Sequence, residues 1–258
     1  MNGSTRPRAL VTGASSGIGI ELARQLVRDG HDLVLSARRA APMHALAAEL
    51  EAHDADSVVI PVDLSKPGAA SELAAAVETR GLTIDVLVNN AGLGGIGRFD
   101  QLDPGRVSEM LHVNVVALTE LTRLFLPAMV ARRRGKVMLV ASTAGFQPGP
   151  RMAVYFATKA YVLSLGEALA FEVRGTGVTV TTLCPGATAT EFFKVAGSNT
   201  ALRPTMSAAQ VAHIGYRALK AGRRVAITGF LNRILAVGGR YGPHSITLPA
   251  TAALMSRR

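Results

Sequence analysis

Short apolar runs alternate with longer amphipathic stretches along this 258-residue chain. Seven runs read as strands: 9–12, 32–36, 57–61, 86–89, 136–141, 179–184 and 224–228. Several, such as VLVNN and KVMLVAS, are almost continuously apolar, the pattern of strands covered on both faces of a parallel sheet. Helices are predicted between them over 18–29, 42–52, 67–80, 104–132, 152–173 and 208–221. Pro42, Pro67 and Pro104 fall near helix starts, where a missing N–H does no harm. The repeated strand–helix order predicts an α/β fold with one open, doubly wound parallel sheet. No stretch reads as a linker, so 1–258 is expected to be a single domain. The Gly/Pro/Thr-rich stretch 186–204 reads as a loop or lid.

Composition narrows the class. With 48% hydrophobic and 18% charged residues, the chain is too apolar to stay disordered. The lone Cys184 excludes a disulfide scaffold and a cysteine-rich metal site, and no metal is expected. Its neighbours Leu183 and Pro185 suggest a packing role rather than a nucleophile. No run of about 18 apolar residues is present, and residues 1–8 lack the apolar segment of a signal peptide. The expected setting is therefore cytoplasmic. The net charge of +10 is uneven: residues 1–191 hold 18 basic and 18 acidic residues, whereas 192–258 hold 10 basic and none acidic. A balanced body, no tryptophan and only 5% aromatics argue against a nucleic-acid partner.

Candidate chemistry begins after the first strand, at Gly13-Ala14-Ser15-Ser16-Gly17-Ile18-Gly19. Glycines there allow a tight turn and close approach of a pyrophosphate, and the following helix start offers free N–H groups. A plain tight turn would have the same composition, but the position between strand and helix favours a dinucleotide site. The second strand runs into Ala37-Arg38-Arg39, with no carboxylate to hold a free ribose 2′-hydroxyl. Arginine instead suits a 2′-phosphate, so NADP(H) is expected in preference to NAD(H). Further on, Tyr155 and Lys159 stand four apart on a predicted helix and so share a face. A neighbouring ammonium is expected to lower the phenol pKa from about 10 toward working pH, which would make Tyr155 a usable acid–base group. Ser142 ends the fifth strand, at the sheet edge where open α/β folds bind ligands.

Taken together, these residues resemble the short-chain dehydrogenase/reductase family in its small, single-domain Rossmann-fold branch. The likeness runs from about residue 8 to 190 through TGASSGIG, Asp63 in VDLS, Asn89-Asn90-Ala91-Gly92, Asn114 in HVNV, Ser142, Tyr155 with Lys159, and Pro185-Gly186. The resemblance implies about seven strands and an oxidoreductase acting between alcohol and carbonyl. Tyr155 would donate or accept the proton, Lys159 would bond the nicotinamide ribose and tune Tyr155, and Ser142 would hold the substrate oxygen. Asn114 would hold a water linking Lys159 to solvent, and Asp63 would contact adenine. Asn89 and Gly92 would line the adenosine ribose side, and Ala91 would also bind the cofactor. Thr190, together with the backbone at Thr188, would hold the nicotinamide carboxamide, and Pro185 and Gly186 would also bind the cofactor. A homodimer or homotetramer is also implied, built on helices 104–132 and 152–173. In-class alternatives are a 3-oxoacyl thioester reductase and a hydroxysteroid-like dehydrogenase. The alternative of another class is an NADPH-sensing regulatory or scaffold protein.

The substrate lid is expected at about 191–222, where Phe192 and Phe193 suit an apolar carbonyl compound and Lys194 and Arg203 suit an anionic handle. Residues 229–258 exceed the minimal family fold. FLNRILAVGGRY has apolar residues at helical spacing with Arg233 and Arg240 among them. This extension is expected to touch anionic lipid weakly, to cover a partner subunit, or to pack on the sheet.

Overall fold

The computed structural model describes residues 6–192, 196 and 206–256, apart from the side chains of 254–256. Its sheet holds β1 (Arg8–Thr12), β2 (Asp32–Ser36), β3 (Ser57–Val59), β4 (Val86–Asn89), β5 (Gly135–Val140), β6 (Val178–Cys184) and β9 (Val225–Ile227). They lie in the order β3-β2-β1-β4-β5-β6-β9, and every pairing is parallel. This is the doubly wound Rossmann fold. The chain reverses direction across the sheet between β1 and β4, which opens a crevice beyond their carboxyl ends. A two-residue pairing of β7 (Thr188–Ala189) with β8 (Met206–Ser207) stands apart from the sheet.

Strand alternation explains the two helical layers. Leu10, Val34, Leu87, Val137 and Leu139 face one side, against α3 (Ala69–Thr79), α4 (Pro104–Leu111), α5 (Leu118–Ala131) and α6 (Ala153–Glu172). Val11, Leu33, Leu35, Val88, Met138 and Val140 face the other, against α1 (Gly17–Arg28), α2 (Ala40–Glu51) and α7 (Ala208–Lys220). Both faces of each strand are dry, which is why the runs read as unbroken apolar segments. The last helices are α8 (Phe230–Tyr241) and α9 (His244–Ser256).

Three expectations change here. Because α7 docks beside α1 and bonds Asp29 through Tyr216 and Lys220, it belongs to the helical layer. The expected lid over 191–222 therefore ends before it. The predicted helix 104–132 is interrupted by a π-helical turn, His112–Ala117, between α4 and α5. The rod Pro104–Ala131 is also long and apolar enough to cross a membrane, contrary to the expectation that no such stretch exists. Its buried face packs against the sheet, as core helices of similar composition do.

Candidate active site

The glycine turn lies at the carboxyl end of β1. Gly13 has φ +66°, and a Cβ there would sit 2.9 Å from Ala91 Cα. At Gly19 a Cβ would reach within 2.3 Å of the Gly13 carbonyl, so only glycine lets α1 start this close to the turn. Ser16 caps α1 with extended backbone and no side-chain cap bond, and the first turn has no acidic residue. The opening N–H groups therefore point at the crevice with their positive end dipole uncompensated. That donor set fits a pyrophosphate. Ile18 packs on the core below, and Ser15 accepts an Arg39 bond on its carbonyl at 3.4 Å.

Thr12 and Asn90 hold this turn, and neither was singled out by sequence reasoning as a site residue. Thr12 Oγ1 accepts from the N–H groups of Asn90 and Ala91, both at 3.1 Å. Asn90 Nδ2 donates to the carbonyls of Thr12 and Gly13 at 3.0 and 3.3 Å. Asn89 is buried at the end of β4, and its side chain donates to Thr122 Oγ1 at 2.9 Å, which fastens β4 to α5. At Gly92 a Cβ would lie 3.4 Å from Lys159 Nζ, so this glycine stands close to the catalytic lysine. Asp63 accepts from Ser65 N–H and Oγ at 3.1 and 2.9 Å, which orders the loop after β3.

Arg38 and Arg39 are exposed at the exit of β2. Arg39 also pairs with Glu191 at 3.1 Å, a bridge of two side chains more than half exposed. Thr190 leans on the glycine turn, its Cγ2 being 2.9 Å from where a Gly17 Cβ would stand. Thr188 is buried and bonds the Gly186 carbonyl at 2.9 Å.

At the catalytic end, Ser142 follows β5. Its Oγ accepts from Ala144 N–H at 3.1 Å and donates to the Pro185 carbonyl at 3.3 Å. Tyr155 stands in the first turn of α6, with Ser142 as the polar neighbour of its phenol. Lys159, one turn further, donates to the Val140 carbonyl at 2.8 Å and lies 5.8 Å from the Tyr155 ring centre. Burial pushes the Tyr155 phenol up to about 12, opposed by the neighbouring Ser142 hydroxyl. Burial also lowers the Lys159 ammonium to about 8. The expected lowering of the Tyr155 pKa is therefore reversed: loss of water costs the phenolate more than its polar neighbours return. Cys184 behaves as a packing residue, its buried thiol pushed up to about 12.

Asn114 is fully buried within the π-helical turn. Its Oδ1 accepts from Leu93 N–H at 2.8 Å, and its Nδ2 donates to the Leu93 carbonyl at 2.9 Å and Thr158 Oγ1 at 3.0 Å. Both amide protons are thus used to join the β4 loop to α6, next to Lys159. Phe192 meets the Tyr155 ring at 5.1 Å between centres and presses on Gly94. Phe193, Lys194 and Arg203 lie outside the described residues.

A phosphate-ready turn at the β1/β4 crevice and a Ser–Tyr–Lys cluster at its far end define a nicotinamide-dependent oxidoreductase site. The family model for short chain dehydrogenase matches residues 7–201, and the chain belongs to the short-chain dehydrogenase/reductase family. It is 37% identical to the NADP-dependent 3-hydroxy acid dehydrogenase of Salmonella typhi over 72% of this chain and 75% of that protein. A short-chain dehydrogenase from Sphingobium yanoikuyae in complex with NADPH superposes with TM-score 0.82 at 32% identity, covering 93% of this chain and 96% of that one. A family member from Burkholderia phymatum in complex with NAD superposes at 0.81 with 25% identity, covering 90% and 92%.

Proposed function

We propose that the protein interconverts a ketone or aldehyde and the corresponding alcohol with NADP(H), with Tyr155 as proton donor in reduction and acceptor in oxidation. The observation that carries this reading is the cluster at the carboxyl end of β5, where the buried Tyr155 and Lys159 stand one helical turn apart beside Ser142, the Lys159 ammonium 5.8 Å from the Tyr155 ring centre. The cofactor, when bound, supplies or accepts the hydride. Ser142 orients the substrate oxygen toward the phenol. Tyr155 gives that oxygen its proton as negative charge builds on it. The Lys159 ammonium then stabilises the phenolate left behind. Phe192 covers the phenol edge and presents an apolar wall to the substrate.

Preference for NADP(H) is supported by Arg38 and Arg39 at the end of β2 and by the absence of a carboxylate at position 37. Two substitutions test the reading. Tyr155→Phe is expected to lower turnover across a carbonyl panel by about 10²- to 10⁴-fold while NADPH binding stays near normal. Turnover at the unsubstituted rate would refute the mechanism. Arg38→Asp is expected to weaken NADPH binding by about tenfold or more and to change NADH binding far less. Equal losses for the two cofactors would refute the preference.

A further inference from the structure

The C-terminal extension carries a helix that is inside out. On α8 the buried positions are Asn232, Ala236 and Gly239, small or polar residues one turn apart. Asn232 Nδ2 donates to the Thr228 carbonyl at 2.7 Å and packs on Gly186, while Gly239 packs on Gln147. This strip lies flat against the body beside the turn that follows Ser142, next to the active-site mouth. The large apolar side chains point the other way. Phe230, Leu231, Ile234, Leu235, Val237 and Tyr241 are all at least half exposed, Phe230 at 80%. On a helical wheel these six fall within an arc of about 160°. Arg233 and Arg240 lie together along one border of that arc, both exposed.

A contiguous apolar face of this kind is normally covered by something. Charge selects among the coverings. Residues 192–258 contain ten basic and no acidic residues, so a second copy docked face to face would bring like charges together. Along the border, Arg240 shares Glu167 with Arg224, at 3.4 and 3.9 Å, which leaves the edge cationic. An apolar arc bordered by arginines matches the boundary between headgroups and acyl chains of an anionic bilayer. We propose that α8 is an interfacial helix that rests the protein on anionic lipid, with the active-site mouth beside the membrane. The proposal does not depend on the reaction assigned above.

The chain contains no tryptophan, so Phe230→Trp gives a single reporter at the most exposed apolar position. The probes are phosphatidylcholine vesicles with and without about one-third phosphatidylglycerol. In low salt the full-length reporter protein is expected to pellet with the anionic vesicles and shift its emission to the blue. Binding to neutral vesicles should be weaker by about tenfold. High salt, Arg233→Glu, or Leu231→Ser with Leu235→Ser should each release the protein, with unchanged circular dichroism. No binding in low salt would overturn the proposal. So would equal binding to neutral and anionic vesicles. Lipid-free dimerisation that disappears in the Leu231→Ser, Leu235→Ser protein would also overturn it, because the face would then belong to a second copy.

Discussion

At the scale of single residues, the site turns on how far burial moves two protons. With Tyr155 pushed up to about 12, its proton stays in place through neutral pH, which favours donation to a carbonyl. Lys159, lowered to about 8, is the group that titrates in the working range. Below that value the ammonium is present and can stabilise the departing phenolate; above it the charge is lost. Carbonyl reduction is therefore expected to show kcat/KM flat on the acid side and falling as pH rises through about 8. Lys159→Arg, whose guanidinium stays charged, should displace that limb to higher pH at reduced kcat. A limb unmoved by the substitution would assign it to another group. A second residue-scale prediction concerns Glu191, whose carboxylate pairs with Arg39 and would compete there with a 2′-phosphate. Glu191→Gln is expected to tighten NADPH by about twofold to fivefold, the size of an exposed pair, and to leave NADH unchanged. Fluorescence titration of both cofactors would decide it, and equal tightening would count against the competition.

Among the elements, the π-helical turn His112–Ala117 shows how one inserted residue builds a catalytic neighbourhood. It places Asn114 where three hydrogen bonds join Leu93 and Thr158. Asn114→Ala removes these partners and strands buried backbone groups of Leu93, so a stability loss of about 2–3 kcal/mol is expected in urea denaturation. Activity should fall further than stability accounts for, because α6 carries both Tyr155 and Lys159. An unchanged urea midpoint would show that the bonds contribute little. The sequence announced helix 104–132 but not this turn, since adding one residue to a helical turn hardly disturbs its apolar periodicity. The seven strands were legible because both faces of each are dry, which leaves unbroken apolar runs. The sequence pattern does not separate the roles of Asn89 and Asn90. Neighbouring residues at a strand end point to opposite sides, and only the β4 register shows that Asn89 turns to α5 while Asn90 reaches the glycine turn. The α8 periodicity was equally visible, yet its apolar face was indistinguishable from a core-facing stripe. Close packing at Gly186 and Gln147 admits only small residues there, which sends the large ones outward.

For the molecule as a whole, the apolar surface left by the protomer argues for a paired assembly. The most apolar window of the rod Pro104–Ala131 has a mean hydropathy of 1.4, yet only 39% of that window is buried inside the chain. Leu111, Val116 and Leu124 stand exposed on this rod, with Tyr161 and Phe171 exposed on α6. Thr119 Oγ1 and Tyr161 OH are 3.0 Å apart, so the two helices present one continuous face. Placed against its own copy about a two-fold axis, that face would bury the outward side of the helix that carries Tyr155 and Lys159. The family resemblance implies a dimer or tetramer built on the same helices, and a homodimer through this face is the proposed minimum. Val116→Glu with Leu124→Glu puts two carboxylates on each side of the axis, where they would be desolvated and mutually repelled. Light scattering at micromolar concentration is expected to give twice the chain mass for the unsubstituted protein and the single-chain mass for the double variant. The monomer should still bind NADPH, because the glycine turn lies on the sheet edge away from the substitutions, but it should melt at a lower temperature. A double variant that kept the oligomeric mass would move the interface elsewhere. Loss of NADPH binding together with the helical circular dichroism would instead show that these positions support the protomer's own fold.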